Sequence, residues 1–279
     1  MSHQLPYLVN CSILFTELPL LERPAAAKAA GFDAVEFWWP FDGGSPADTE
    51  VDKFVAAVRD AGVDLVGLNF AAGDMPAGDR GLLSWPGRSD ELRDSVDVAV
   101  GIAEQLGTRA FNALYGNRVD GVSAQEQDEL AAMNLAAAAS TVERIGATVL
   151  IEPVSGAPRY PLLTAADVVA FLDRVGAENT AMLFDAYHLA VNGDDLDAVI
   201  DAHHERISHV QVADAPGRGE PGSGSLDLDA TLTHLEQRGY SGWVGLEYKP
   251  TTSTTDSFAW LPLARRARTA HTSKDRSSS

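Results

Sequence analysis

Short apolar runs and longer amphipathic stretches alternate eight times along this chain of 279 residues. An apolar run of about four to eight residues is typical of a buried strand, and a longer amphipathic stretch is typical of a helix. Eight such pairs predict a parallel sheet covered by helices, closed into a single (β/α)8 TIM barrel. We predict strands at residues 7–12, 34–37, 65–70, 110–114, 148–152, 180–185, 207–212 and 242–248, and helices at 19–30, 48–61, 89–106, 123–145, 164–175, 196–203, 229–238 and within 254–268.

The barrel accounts for residues 1–264 as one domain. A barrel of this kind takes about 250 residues, and no linker rich in proline, glycine or serine interrupts the alternation. Residues 265–279 contain five basic residues, one acidic residue and no large apolar residue, so we predict a disordered basic tail there. A doubly wound open sheet is the alternative, but such a sheet normally has a glycine-rich phosphate loop after its first strand, and this chain does not.

The charge and the termini exclude several classes of partner. A net charge of −19 argues against nucleic acid, because nucleic-acid binding depends on Lys and Arg that neutralise phosphates. The chain begins without a basic, apolar leader, and no apolar run approaches the roughly 18 residues of a membrane span. The single cysteine, Cys11, fits a reducing compartment. We therefore expect a cytoplasmic protein that acts on a small molecule, alone or as a homo-oligomer.

Four consecutive predicted strands end in a polar side chain. The carboxyl ends of parallel strands meet at one face of a barrel, and that face is where active sites lie. One acid at a strand end is readily explained as a helix cap. Three acids and an amide on successive strands instead indicate a functional site, formed by Glu152, Asp185, Gln211 and Glu247.

Three carboxylates in a partly dehydrated pocket repel one another, and each uncompensated buried charge costs several kcal/mol. A divalent cation would remove this repulsion, and an all-oxygen ligand set suits Mg2+ or Mn2+. The alternative is that the acids pair with Arg or Lys, but the strand ends offer few such partners beyond Lys249.

A set of short motifs is spread along most of the chain. They are Asn10, Val35-Glu-Phe37, Gly73-Asp74, Ala77-Gly-Asp-Arg-Gly81, Pro86-Gly-Arg88, Leu150-Ile-Glu-Pro153, Phe184-Asp-Ala-Tyr-His188, His209-Val-Gln-Val-Ala-Asp214, Arg218-Gly-Glu-Pro-Gly222 and Gly242-Trp-Val-Gly-Leu-Glu-Tyr-Lys-Pro250. These motifs resemble those of the hydroxypyruvate isomerases, a branch of the xylose-isomerase-like barrels, and the resemblance covers roughly residues 7–262. Related sugar epimerases have a histidine where this chain has Gln211, and that difference favours the isomerase branch.

The resemblance implies that the chain interconverts hydroxypyruvate and tartronate semialdehyde through an enediolate, as a step of glyoxylate metabolism. Glu152 and Glu247 would move the protons, and the four strand-end groups would bind the cation. His188 and Arg218 would bind the substrate, although His188 could be an ordinary loop histidine and Arg218 could pair with Glu220. Arg80 and Arg88 are weaker candidates for binding the substrate carboxylate, because arginines are common in loops. Three further side chains near strand ends could line the pocket or equally satisfy backbone groups: Glu36, Asn69 and Asn112.

Other functions remain open at this point. A 2-oxo-tetronate isomerase or a ketose 3-epimerase would use the same site on a different substrate. A metal-dependent endonuclease would need many histidines and a basic groove, and only His188 and His209 fall near strand ends. In a barrel retained as a non-catalytic binding protein, we would expect one or more of the strand-end acids to be replaced, whereas this chain has the complete set.

Overall fold

The eight predicted strands form a closed parallel barrel in the computed structural model, which describes residues 1–267. Each strand pairs with the next one along the chain, and the last pairs with the first. The strands are almost wholly buried because helices cover the outside of the sheet and side chains fill its interior. The strands are β1 (Tyr7–Asn10), β2 (Ala34–Phe37), β3 (Asp64–Asn69), β4 (Ala110–Asn112), β5 (Thr148–Ile151), β6 (Thr180–Asp185), β7 (Ile207–Val212) and β8 (Val244–Leu246).

Helices alternate with the strands, as predicted. Ser123 and Thr164 each cap a helix, because the side-chain oxygen accepts a hydrogen bond from a backbone N–H of the first turn. No helix of residues 1–267 combines the length and the apolar character needed to cross a membrane. The helices are α1 (Arg23–Ala29), α2 (Asp48–Ala61), α3 (Ser89–Leu106), α4 (Ala124–Glu143), α5 (Ala165–Val175), α6 (Ala186–Asn192), α7 (Leu196–His203) and α8 (Leu228–Gln237).

Two helices near the mouth of the barrel differ from the prediction. Helix α6 was not predicted because its seven residues are too few to show a helical period. It follows β6 without a loop, since the Asp185 side chain caps it by accepting a 2.9 Å hydrogen bond from the backbone N–H of His188. Helix α1 begins at Arg23 rather than near Pro19, because Leu20–Glu22 forms a 3-10 turn first.

The end of the described chain packs against the barrel, which contradicts two predictions. Residues 254–267 contain no α-helix, only the 3-10 turns Asp256–Phe258 and Leu263–Arg265. Arg266 was assigned to a disordered tail. Its guanidinium instead donates to the carbonyl oxygens of Ala30, Phe258 and Leu261 at 2.9 to 3.0 Å, so the folded domain extends past residue 264. The rest of the predicted tail, residues 268–279, lies outside the described residues.

A small apolar cluster fills part of the barrel interior. It consists of the buried side chains of Leu150, Ala181 and Leu183, with Ala110 packed against it. A much larger core lies between the barrel and the surrounding helices. Since protein cores are close-packed and hard to compress, these two layers give the polar groups at the strand ends a rigid base.

We expect removal of Arg266 to destabilise the fold. Its guanidinium also lies 5.5 Å from the ring centre of Phe258 and 5.9 Å from that of Phe32, and a hydrogen bond to a charged group stabilises by about 1.5–3 kcal/mol. Truncation after Ala264 should therefore lower the free energy of unfolding by about 2 kcal/mol or more relative to truncation after Ala267, measured by urea denaturation. Equal midpoints for the two truncated chains would contradict the packing role of Arg266.

Candidate active site

The four predicted strand-end groups converge at the carboxyl-terminal mouth of the barrel. Strand pairing places Asp185 beside Gln211, and Gln211 beside Gly245, two residues before Glu247. The relative exposures of Glu152, Asp185, Gln211 and Glu247 are 7%, 1%, 3% and 4%. Glu152 and Glu247 line one cleft of about 590 Å³, whose size is in the range typical of ligand sites.

Glu247 is held by three donors. The Trp38 indole N–H donates to Oε1 at 2.6 Å, and the Asn10 amide donates to the same oxygen at 3.3 Å. The Arg218 guanidinium donates to Oε2. Trp38 was not among the predicted site residues, although its position one residue beyond β2 at the barrel mouth was a usable signal. Together the donors fix the direction of the carboxylate.

Arg218 lies among the strand-end acids. The guanidinium is an ion pair with Glu247 and lies 3.9 Å from Asp185 Oδ2. Glu220, the alternative partner, bonds Thr251 instead. The expectation that the acids find few cationic partners is therefore wrong for Glu247. Arg218 has a φ of 60°. This left-handed backbone conformation is uncommon for residues other than glycine, and strained conformations of this kind cluster at functional sites.

Burial raises the pKa values of the three acids at the barrel mouth. Loss of solvent raises the pKa of Glu152 well above its ordinary value, and the neighbouring Glu247 and Asp185 add repulsion. Loss of solvent also raises the pKa of Asp185, against the opposing effect of Arg218. The pKa of Glu247 is raised to about 7, again chiefly by burial. A pocket with these pKa values favours protons or a cation over free carboxylates.

His188 has a fixed ring orientation. Its Nδ1 accepts a 2.9 Å hydrogen bond from the backbone N–H of Ser155, so that nitrogen carries no proton. Burial lowers the pKa of His188 to about 3, and the ring is neutral near pH 7 with its proton on Nε2. The Nε2–H can therefore donate to an oxygen in the cleft, which His188 lines.

The residues at the barrel mouth could hold a divalent cation. Ligand atoms of Asp185, His188 and Glu247 lie within 4.8 Å of one another. Because His188 carries its proton on the nitrogen that faces this group, it is a poorer ligand than the two acids. Gln211 Oε1 is buried and has no hydrogen-bond partner among residues 1–267, so it is a free hard oxygen in that part of the chain. An oxygen-rich set of this kind fits Mg2+ or Mn2+.

Glu36 lies below the cleft rather than on its wall. It accepts hydrogen bonds from the Gln211 amide at 2.6 Å and the Asn10 amide at 3.0 Å, and its other oxygen lies 2.6 Å from His209 Nε2. Glu36 is not among the side chains that line the cleft, and its side-chain hydrogen bonds go to other buried side chains. His209 is explained by its contact with Glu36. Contact between Glu36 and the substrate remains a prediction.

The weaker candidates divide between the cleft and other places. Asn69 and Arg80 line the cleft, and so does Lys249, which was considered only as an ion-pair partner. Asn112 is buried beside Glu152, and its hydrogen bond to that acid favours the charged form. Arg88 is outside the cleft and forms ion pairs with Asp79 and Glu91, so the structure does not bring it to the candidate site.

The raised pKa of Glu247 predicts a pH-dependent stability in the presence of a chelator. A carboxyl whose pKa rises from its ordinary 4.5 to about 7 on folding binds more protons in the folded state. Stability should therefore fall as the pH rises through this window. In thermal melts from pH 4.5 to 8, the melting temperature should fall less steeply with pH for Glu247→Gln, which has no titrating group at position 247, than for the wild-type protein. Parallel curves for the two proteins would contradict the raised pKa.

The sequence matches the family model described as "Xylose isomerase-like TIM barrel" over residues 24–264. Three relatives each match over more than nine-tenths of both chains. A putative hydroxypyruvate isomerase of Streptomyces coelicolor is 54% identical (93% of this chain, 96% of that one), the hydroxypyruvate isomerase of Escherichia coli is 35% identical (92% and 98%), and a 2-oxo-tetronate isomerase of Cupriavidus necator is 33% identical (91% and 96%).

A solved structure agrees with the fold. The structure titled as an AP endonuclease, family 2, from Brucella melitensis superposes with a TM-score of 0.83 at 34% identity, over 92% of this chain and 98% of the other. The family model and the full-length relatives, which are named isomerases, show that the chain belongs to the xylose isomerase-like TIM barrel family and is one of its isomerases.

Proposed function

We propose that the chain is a metal-assisted isomerase that interconverts hydroxypyruvate and tartronate semialdehyde. The observation that carries the proposal is a single cleft in which two buried glutamates, Glu152 and Glu247, lie with the neutral donor His188. Moving a proton between adjacent carbons needs a carboxylate as base and a donor for the substrate oxygens. The curated relatives at 54% and 35% identity, one named putative hydroxypyruvate isomerase and the other hydroxypyruvate isomerase, support the same reaction.

The cleft is suited to an anionic substrate. Arg80, Arg218 and Lys249 all line it, although the chain as a whole carries a net charge of −19. Arg218 is paired with Glu247. Within the described residues 1–267, the Arg80 guanidinium donates to backbone carbonyls of its own loop and forms no ion pair with a carboxylate. These cations favour a keto acid over a neutral ketose.

The cation ligands would be Glu152, Asp185, Gln211 and Glu247. Their donors are oxygens, and the partnerless Gln211 Oε1 is the observation that fits a hard cation. When bound, Mg2+ or Mn2+ would polarise the substrate carbonyl and stabilise the negative charge that develops on the substrate oxygens. The remaining candidates bind or orient the substrate: Asn69, Arg80, Arg218 and His188 from the cleft wall, and Asn112 through Glu152.

The proton transfers are assigned to the two glutamates. One carboxylate removes a proton from the hydroxymethyl carbon of hydroxypyruvate, which gives an enediolate. A proton then moves between the two oxygens and another is delivered to the neighbouring carbon, which gives tartronate semialdehyde. The Nε2–H of His188 donates to a substrate oxygen during this exchange. The pKa of Glu247, raised by burial to about 7, suits a group that takes up and returns a proton near neutral pH, and burial raises the pKa of Glu152 in the same direction.

A second candidate is isomerisation of a four-carbon acid. The Cupriavidus necator relative named 2-oxo-tetronate isomerase is 33% identical over nearly its whole length. The cleft of about 590 Å³ also has room for one more hydroxymethyl group. The same acids and the same carboxylate-binding cations would serve both substrates, so the choice between them depends on the outer part of the cleft.

Chelation should lower both activity and thermal stability, because a cation that binds only the folded site stabilises it by mass action. The assay follows hydroxypyruvate consumption after chelation and after readdition of Mg2+ or Mn2+, beside a 2-oxo-tetronate and a neutral ketose. We expect metal-dependent turnover of one of the acids and none of the ketose. Unchanged turnover and melting after exhaustive chelation would contradict the metal assignment, and turnover of the ketose alone would contradict the substrate class.

Replacement of either glutamate should abolish most of the activity. Glu152→Gln and Glu247→Gln keep the side-chain size and one oxygen but remove the base, so each should reduce turnover by about a hundredfold or more. Glu220→Gln is the matched control, since Glu220 lies in the loop beside Arg218 and bonds Thr251 rather than the cleft acids. Full turnover in either cleft variant would remove that glutamate from the mechanism.

A further inference from the structure

Glu36 is the centre of a buried polar cluster that the reaction itself does not use. Its side chain is only 4% exposed. One oxygen accepts from the amides of Gln211 and Asn10 at 2.6 and 3.0 Å, and the other lies 2.6 Å from His209 Nε2. Asn10 in turn donates to Glu247 at 3.3 Å. Glu36 therefore contacts one proposed cation ligand, Gln211, and is linked through Asn10 to another, Glu247.

The chemistry of Glu36 fixes the amide of Gln211. Glu36 Oε1 also accepts from the Asn10 amide, so the Gln211 atom that lies 2.6 Å from this oxygen is the NH2 group, which donates. The other amide atom is then the oxygen, and that atom is buried without a hydrogen-bond partner in the part of the chain that the structure describes. If the amide were turned over, two acceptor oxygens would meet at 2.6 Å and a positively polarised NH2 group would replace the free oxygen.

The barrel has room for Glu36 because two neighbouring strands carry glycine beside it. Glu36 pairs with Gly67 on β3, and Gln211 pairs with Gly245 on β8. A Cβ atom on Gly245 would lie 2.7 Å from Glu36 Oε1 and 3.0 Å from Gln211 Cγ, and one on Gly67 would lie 3.2 Å from Glu36 Oε2. Both glycines thus keep open the space that the carboxylate and the amide occupy.

We propose that Glu36 is a positioning residue that presents the oxygen of Gln211 to the cation. This inference rests on the proposed function, because it needs a cation at the strand ends. Glu36 holds the Gln211 amide in one of its two orientations before the cation binds, so no binding free energy is lost in turning that side chain. Through Asn10 it also restrains Glu247. Groups that orient metal ligands in this way typically contribute 10–100-fold to metal affinity.

The first test is calorimetric titration of the chelated protein with Mg2+ alone and with Mn2+ alone. In Glu36→Gln the new amide can donate as well as accept, so Gln211 is free to turn its NH2 group toward the site. We expect the affinity for both ions to fall by about 10–100-fold. Asn179→Ala is the matched control: it loses hydrogen bonds to the carbonyl oxygens of Ala139 and Ala147 beside the start of β6, and it should keep the wild-type affinity.

A rescue experiment separates orientation from general support of the fold. A carboxylate presents an oxygen whichever way it turns, so the double variant Glu36→Gln/Gln211→Glu should recover most of the lost Mg2+ affinity. Gln211→Glu alone should bind Mg2+ less tightly than the double variant, because it places two carboxylates in contact. If Glu36→Gln does not fold, Gly67→Ala provides the same test, since its methyl group would lie 3.2 Å from Glu36 Oε2 and crowds the carboxylate without contacting a proposed ligand.

The outcomes distinguish this inference from the proposed function. Wild-type affinity in Glu36→Gln, or failure of the double variant to bind more tightly than Glu36→Gln, overturns the positioning role and leaves the cation site intact. Absence of Mg2+ and Mn2+ binding in the wild-type protein overturns both the positioning role and the metal-assisted reaction. A selective loss in Glu36→Gln with recovery in the double variant supports the assignment.

Discussion

The burial of several carboxylates at one end of the barrel is the constraint on which the rest of the site depends. Glu152, Asp185 and Glu247 are each at most 7% exposed, and ionised groups removed from water cost several kcal/mol each unless they are compensated. The structure shows two forms of compensation. Trp38 and Asn10 donate to Oε1 of Glu247, and the Arg218 guanidinium donates to Oε2 and supplies one positive charge. The high pKa values show that this compensation is incomplete.

The barrel also provides the space that the buried polar groups at its mouth require. Parallel strands that close on themselves place their carboxyl ends around one mouth, so residues far apart in sequence meet there without long loops. Gly67 and Gly245 leave room inside the barrel for the Glu36 side chain. The apolar cluster of Leu150, Ala181 and Leu183 fills part of the barrel interior and supports the buried polar side chains. The polar groups are therefore held by rigid elements, whereas Arg218 is carried by a loop with a left-handed backbone.

Much of the fold and part of the site were predictable from the sequence. Buried parallel strands read as unbroken apolar runs, so all eight were placed within a few residues. An acid at the end of such a run also predicts that Glu152, Asp185 and Glu247 meet at the barrel mouth, where the structure places them. The helix α6 was missed because seven residues cannot show a period. The packing of Arg266 was missed because composition does not reveal which carbonyls a guanidinium can reach.

Residues whose role depends on distant contacts were the least predictable. Glu36 occurs in a strand that reads like the others, and nothing local shows that Gln211 and His209, about 170 residues later, donate to it or contact it. The glycines in β3 and β8 were the available signal, because glycine inside a strand often marks a close approach of other atoms. Trp38 was identifiable only by its place just beyond a strand end.

A count of charges at the barrel mouth connects the site to its substrate class. In the proposed reaction, the three negative charges of Glu152, Asp185 and Glu247 are balanced by a divalent cation and by Arg218. Arg80 and Lys249, which line the same cleft, then remain as cations without an acid of the pocket to neutralise. A neutral sugar would leave both charges beside it uncompensated, whereas the carboxylate of a keto acid supplies the missing negative charge. The charge balance of the cleft therefore favours an acid as the substrate, independently of which carbon chain the acid carries.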